Sequence, residues 1–270
     1  MSVDANQLVQ RGMTAHQSGN LPEAERLYKE ALAANPNHFE GLHFLGLAVA
    51  HRGNPEEGEK LVRRSLAVNA SKPEAFKNHA LMLNALRRHQ EAIEACDTAL
   101  ALAPRMADAM IVRCNALREL DRYDEALSFV DRAIAIQPGN FIALGARGDI
   151  LVSLGRHDEA IDYSTRALAI NPNYVQAIFN RACRWLAKGK LVEGWPGYER
   201  RFDVPGHPPR PALPGMRWTG QPLNGTSILI HDEQGLGDTV QFVRYLPLLK
   251  EQGARVSFVV RPTLRRLLRP

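Results

Sequence analysis

Near its end the chain carries a short segment equipped for chemistry, Glu233-Gln234-Gly235-Leu236-Gly237-Asp238-Thr239. Gly235 and Gly237 permit positive φ and let a ligand come close to the backbone. Asp238 brings a carboxylate, which in a cleft can take a proton from a sugar or protein hydroxyl. An aspartate there can equally cap the helix that follows, and spacing alone leaves both roles open. Glu233, Gln234, Gly235, Gly237 and Thr239 would form the ligand loop around it. The dinucleotide fingerprint does not fit, because Val240 stands where a third glycine is wanted and the next strand ends at Arg261, not at an acid. That disfavours a nucleotide-binding oxidoreductase. The nine histidines are scattered, and none pairs with Cys, Asp or Glu at a metal-ligand spacing, so neither a metal site nor a cofactor is expected. Cys96, Cys114 and Cys183 are odd in number and read as small buried thiols, not as a disulfide framework.

The elements around this turn are short. Ser227 to His231 is an apolar, β-branched run expected to be a buried strand. Val240 to Gln252 has Val240, Val243, Leu246 and Leu249 at helical spacing, with Gly253 as a stop. Arg255 to Val260 reads as a second strand, and Thr263 onward as the start of another helix. Strand, glycine turn, helix and strand make a right-handed parallel unit of a Rossmann-like sheet. The turn then lies at the carboxyl end of the first strand, where open parallel sheets place their ligands. Before this unit, Val204 to Pro214 contains five prolines and no periodicity, so it is expected to be an extended connector.

The rest of the chain is repetitive. Pro36, Ala70, Pro104, Pro138 and Pro172 follow one another at intervals of 34 residues. Small residues keep the same register: Gly12, Gly46, Ala80, Cys114, Gly148 and Ala182, then Ala24, Gly58, Ala92, Ala126, Ala160 and Gly194. A third series, Ala31, Ser65, Ala99, Ala133 and Ala167, breaks down at Arg201. Small side chains recur where two helices of a pair cross closely. A fixed period of this length resembles the tetratricopeptide repeat, a stack of helix pairs in a right-handed superhelix. The expected pairs are 5–34, 39–68, 73–102, 107–136 and 141–170, with a modified sixth at 175–203. Gly19, Gly53, Gly155 and Gly189 fall in the turns inside the pairs, whereas Arg87 and Asp121 hold that place in pairs three and four, where the turn closes with less help. Glu23, Glu57, Glu91, Glu125, Glu159 and Glu193 read as solvated helix starts. First helices line the concave wall of such an array, which here carries His16, Glu40, Glu74, Asn84, Asp108, Asn115, Arg118 and Asp149 among apolar residues. Of these, Glu40, Glu74, Asn84, Asp108, Asn115, Arg118 and Asp149 are the candidates for contact with a protein or peptide in the groove. The fold class is therefore mostly α: repeats over 5–203, a connector over 204–220, and a partial α/β Rossmann-like segment over 221–270.

The net charge of +5 divides unevenly, with −3 up to Tyr174 and +8 from Val175 onward. A basic end can meet phosphate or sugar-phosphate ligands. No nucleic-acid motif accompanies it, so nucleic acid is not expected as a partner. No apolar stretch approaches the roughly 20 residues needed to cross a membrane, and the start shows no secretory or myristoylation signal. A cytoplasmic location is expected.

The C-terminal residues also resemble a family. Trp218-x-Gly220-x-Pro222-Leu223-x-Gly225, His231 through Thr239, and Gln241-Phe242-x-Arg244-Tyr245-x-Pro247-Leu248-Leu249, together with Glu193-Gly194-Trp195 and Tyr198, are similar to bacterial proteins that join tetratricopeptide repeats to a glycosyltransferase domain. That domain resembles the family 9, heptosyltransferase-like group, whose two Rossmann-like halves form the GT-B arrangement. The resemblance implies that Asp238 is the catalytic base of a full-length form, with Glu233, Gln234 and Thr239 on the acceptor side. It also implies that a nucleotide-sugar is gripped mainly by a second half not present before Pro270, so this 270-residue chain is expected to be inactive in glycosyl transfer. A stand-alone binding protein with a non-catalytic remnant is the alternative. A repeat-bearing O-GlcNAc transferase fits less well, since only Asn78 and Asn180 of Gln10, Phe44, Asn78, Val112, Ala146 and Asn180 supply its asparagine ladder. Two parallel strands leave open edges, so the segment 221–270 is expected either to pack on the last repeat or to meet a second copy.

Overall fold

The computed structural model describes residues 4–233 and 235–268, and the chain divides into two compact units, Met1–Pro209 and Arg210–Pro270.

The first unit is helical. Its pairs are α1 (Ala5–Gln17) with α2 (Leu21–Ala34), α3 (Phe39–His51) with α4 (Pro55–Val68), and α5 (Pro73–Ala85) with α6 (His89–Leu102). They continue as α7 (Ala107–Glu119) with α8 (Tyr123–Ile136), α9 (Phe141–Ser153) with α10 (His157–Ile170), and α11 (Val175–Ala187) with α12 (Leu191–Tyr198). The chemistry of each start explains its place. Asp4, His38 and Asn140 accept N–H bonds at the heads of α1, α3 and α9, and Asn20 and Asn54 do so for α2 and α4. In the next three pairs an arginine holds the cap position, and Arg88, Arg122 and Arg156 each grip the glutamate three residues on, Glu91, Glu125 or Glu159, with two bonds of 2.6–2.7 Å. The helix-start glutamates are thus clasped, although such exposed pairs contribute only about 0–1 kcal/mol. The last second helix is short because Pro196 lies inside it, and the chain tightens into a 3-10 turn over Glu199–Asp203.

The turns inside the pairs share one geometry. Gly19, Gly53, Gly155 and Gly189 have φ of +73 to +94°, and Arg87 and Asp121 take the same left-handed form at φ 60° and 58°. A side chain there costs about 1–2 kcal/mol, and Arg87 offsets little of it through a 3.8 Å exposed contact with Glu119. Arg87→Gly is therefore expected to raise stability by about 1 kcal/mol, read as a higher urea midpoint at constant slope; no gain would mean that the arginine carries a contact of its own.

The core follows the small-residue register. Ala24, Ala31, Ser65, Ala80, Ala92, Ala99, Cys114, Ala126, Ala133, Ala167 and Ala182 are fully buried. Arg201, where the third series breaks down, is also buried, with its guanidinium 4.2 Å from the Phe202 ring and 4.8 Å from that of Tyr198. Successive first helices touch one another, α1 with α3, α3 with α5, α5 with α7, α7 with α9 and α9 with α11. Successive second helices make no comparable contact among the described residues, which puts the first helices on the inner side of the superhelical stack.

The second unit holds β1 (Ser227–His231), α13 (Leu236–Phe242), α14 (Leu246–Glu251) and β2 (Arg255–Val259). The strands pair in parallel, from Ser227 opposite Arg255 to His231 opposite Val259. Leu223, Ile228 and Ala254 are buried between them and the helices. Three expectations need correction. The single helix expected over 240–252 starts earlier and is broken by a 3-10 turn at Val243–Tyr245, because Pro247 has no N–H to give the Val243 carbonyl. Neither Gly235 (φ −64°) nor Gly237 uses the left-handed region. After Arg261 the chain makes a 3-10 turn, Pro262–Leu264, where a helix was expected. Among the described residues no helix is long and apolar enough to cross a membrane.

Candidate functional site

A polar cavity of about 610 Å³ opens along α5, α7, α9 and α11. The repeat builds it, since residues near the ends of successive first helices fall on one wall. Asn84, Asn115, Arg118 and Asp149 come together there. Asn84 is fixed by its neighbours: its amide donates to the Val112 carbonyl (3.2 Å), and its Oδ1 lies 3.1 Å from His89 Nδ1. The Asp149 carboxylate accepts from Asn180, whose Oδ1 in turn accepts from Gln176 at 3.0 Å. Burial pushes the Asp149 carboxyl up to about 6, against the pull of Arg118 and the Asn180 bond. Arg118 donates to Glu119 at 2.9 Å. Two buried N–H groups on this wall, Arg118 Nε and Arg184 Nε, have no hydrogen-bond partner among the described residues, nor does His89 Nε2, which is an acceptor because the Nδ1–H faces Asn84 Oδ1.

The other groove candidates lie elsewhere. Glu40, Glu74 and Asp108 are exposed in the first turns of α3, α5 and α7, outside the cavity lining; Glu40 faces His38 at 3.5 Å and Glu74 pairs with Lys77 at 2.8 Å. His16 lies 3.1 Å from His51. Sequence reading did not place Arg87, His89, Gln176, Asn180 and Arg184 at this site. Only Gln176 shares a register position with one of the groove candidates, two units after Asp108; Arg87, His89, Asn180 and Arg184 share none.

In the second unit Asp238 is exposed, and its Oδ2 accepts the Gly235 N–H at 3.1 Å, which ties down the start of α13. Thr239 is buried, with its hydroxyl donating to the Gly235 carbonyl at 3.2 Å, while Glu233, Gly235 and Gly237 are exposed. Gln234 lies outside the described residues. The more enclosed acid of this segment is Asp232, paired with Arg261 at 2.5 Å. Among the described residues no group of three or more His, Cys, Asp or Glu could hold a metal ion. Burial pushes the thiols of Cys96 and Cys114 up to about 12.

Two family models, both described as tetratricopeptide repeat, match residues 9–75, 52–107 and 105–173, which together make up more than half of the chain. Protein FlbA of Caulobacter vibrioides is 43% identical over 90 residues, 33% of this chain, and the match spans only 15% of FlbA. Among solved structures, PilW, described as a widely conserved type IV pilus biogenesis factor, superposes with a TM-score of 0.66 at 16% identity, over 73% of this chain and 91% of PilW. YrrB, described as a TPR protein with an unusual peptide-binding site, does so with a TM-score of 0.53 at 19% identity, over 70% of this chain and 93% of YrrB. At these identities the two structures speak for the fold.

Proposed function

We propose that this chain, which belongs to the tetratricopeptide-repeat family, is a protein-interaction scaffold that holds an extended peptide segment of a partner along its first helices. The observation that carries this reading is the pair of unpartnered donors at Arg118 and Arg184 and the unpartnered acceptor at His89 Nε2, lying beside Asn84, Asn115 and Asn180 on one wall. Buried N–H groups without partners cost about 1–3 kcal/mol each. An extended peptide presents a row of carbonyl oxygens that would satisfy them, while Asp149 and the carboxamides accept from its N–H groups. The test is selection of peptides from a random display library on the full chain. Asn115→Leu or Arg118→Leu, which remove polar groups from the wall, are expected to weaken the selected peptides about tenfold or more. Selected peptides that bind both variants as tightly as the parent would place recognition outside this groove.

A second reading concerns residues 221–270, which follow the repeats over 5–203 and the connector over 204–220. The parallel β1–α13–β2 arrangement, with Asp238 in the first turn of α13, supports a glycosyltransferase-type segment. Its donor, a nucleotide-sugar, would be bound only where the second half of such a domain is present. In such a full-length form Asp238→Asn keeps a side-chain acceptor for the Gly235 N–H but removes a base, so turnover is expected to fall by about 10²–10⁴ with unchanged thermal stability. Turnover equal to the parent would leave Asp238 with a capping role alone.

A further inference from the structure

A second cavity, of about 600 Å³, lies over α11 between α10 and α12, and the repeat itself shows what is missing from it. In pair four, Arg113 Nε donates to Asp97 of the preceding pair at 2.7 Å, and its guanidinium lies 4.0 Å from the centre of the Phe129 ring. One register unit later Arg147 Nε donates to Asp131 at 2.6 Å, and its guanidinium lies 4.2 Å from the Tyr163 ring. Arg132 and Arg166 sit over the same two rings, at 5.0 and 4.6 Å. Another register unit on, Arg181 is present but both partners have changed: Thr165 stands in place of the aspartate and Gly197 in place of the aromatic residue. Thr165 Oγ1 meets only a terminal nitrogen of Arg181, at 3.2 Å, and Arg181 Nε is buried with no hydrogen-bond partner among the described residues. The ring cannot be restored from within, because a Cβ on Gly197 would stand 2.8 Å from Ala182 Cβ.

We propose that this gap binds a short segment of a partner protein presenting an aromatic side chain next to an aspartate or glutamate. The incoming carboxylate takes the Arg181 Nε–H, as Asp97 and Asp131 do in the complete rungs, in a charge-assisted bond. The incoming ring takes the place of Phe129 and Tyr163 between Arg181 and Arg200, the register equivalent of Arg132 and Arg166. Leu168, Pro172, Ile178 and Pro196 give it apolar walls, and Trp185, 4.5 Å from the Arg181 guanidinium, closes one side. Two arginines face the ligand against one exposed acid on the rim, Glu193, with Arg200 also bound to Asp203 at 2.5 Å. This site does not depend on the groove described above.

The test uses the full chain and a fluorescent Gly/Ser peptide with a central Asp-Phe-Asp, read by anisotropy. The parent is expected to bind it, and to bind versions with Asn-Phe-Asn or Asp-Ala-Asp about tenfold more weakly or less. Thr165→Asp supplies the missing carboxylate from within the fold, so it is expected to abolish binding while raising the melting temperature, which also shows that the variant folds. Arg181→Lys keeps the charge without the planar fork and is expected to lose binding about tenfold. Asn115→Leu, in the other groove, should leave binding unchanged. The proposal is overturned if the parent does not bind, if the three peptides bind alike, or if Thr165→Asp has no effect on binding. It is likewise overturned if phenylacetate alone competes as well as the unlabelled peptide, which would make this a small-molecule site.

Discussion

Gly46→Ala is expected to destabilise the first unit by about 1–3 kcal/mol, although alanine is the better helix former by about 1 kcal/mol. The reason is the crossing of α3 and α4. A Cβ on Gly46 would stand 2.7 Å from Val62 Cγ2 and 2.8 Å from the Gly58 carbonyl oxygen, and one on Gly58 would stand 2.6 Å from the Gly46 carbonyl oxygen. Both obstacles include backbone, so neither side chain repacking nor a rotamer change relieves them, and the helices must move apart. Gly148 occupies the same register position but has room: the nearest atoms to its Cβ would be Ser164 Oγ at 3.4 Å and the Ala160 carbonyl oxygen at 3.5 Å. Gly148→Ala is therefore expected to stabilise by up to about 1 kcal/mol, in keeping with Ala80 and Ala182 at equivalent places. Urea denaturation at constant slope measures both. A pair of shifts with the same sign would show that the crossing distance, which is the basis of the argument, does not differ between the two pairs.

Asp149 should make stability depend on pH in the direction opposite to that of a salt-bridged acid. Its carboxyl titrates at about 6 in the folded chain against an ordinary 3.8, because burial disfavours the charge. The raised value means that the folded state binds the proton more tightly than the unfolded one. The stabilisation is thus fully present below about pH 4 and is lost as pH rises through about 6. At neutral pH the charged group costs on the order of 1–3 kcal/mol. Asp149→Asn keeps an acceptor for Asn180 without the charge. It is expected to raise stability at pH 7 by that amount and to leave stability at pH 4 nearly unchanged. A parent and variant that differ by the same amount at both pH values would show that the carboxyl titrates normally. The same coupling implies that a ligand N–H or cation placed against Asp149 releases a proton when it binds near pH 6.

Much of the fold was legible because the repeat writes its contacts at one spacing. Gly12 lies under Tyr28, Gly46 against Gly58, and Ala99 and Ala133 in full burial, each where a small residue was required. The groove was legible in part. Asn84, Asn115, Arg118 and Asp149 lie where the inner wall of a superhelix puts them, but Glu40, Glu74 and Asp108, in the first turns of α3, α5 and α7, lie outside the cavity lining, although Gln176 at the same register position in α11 is part of it. Buried charge was not legible at all. Glu59 is nearly inaccessible, with Arg63 of its own helix, His79 of α5 and Arg88 at the cap of α6 converging on it at 2.9–3.7 Å. The Arg113 and Arg147 rungs were present in the sequence at the register spacing. A search confined to small residues passes over them, since an arginine reads as surface until its ring and its carboxylate are seen around it. In the second unit Pro247 announced the break in the helix, and the apolar spacing outvoted it.

The matching rungs of pairs four and five also bear on how such a gene can change. Excision of residues 107–140, one whole unit, would bring Arg147 to the position of Arg113, opposite Asp97, with Tyr163 as its ring. The small residues at the new crossing, Gly148 and Ala160, would likewise stand where Cys114 and Ala126 stood. A loss of any other length would rotate the following helices out of phase. Unequal exchange between copies can therefore lengthen or shorten this array in whole steps without inventing a contact, and selection meets each new length as an already folded protein.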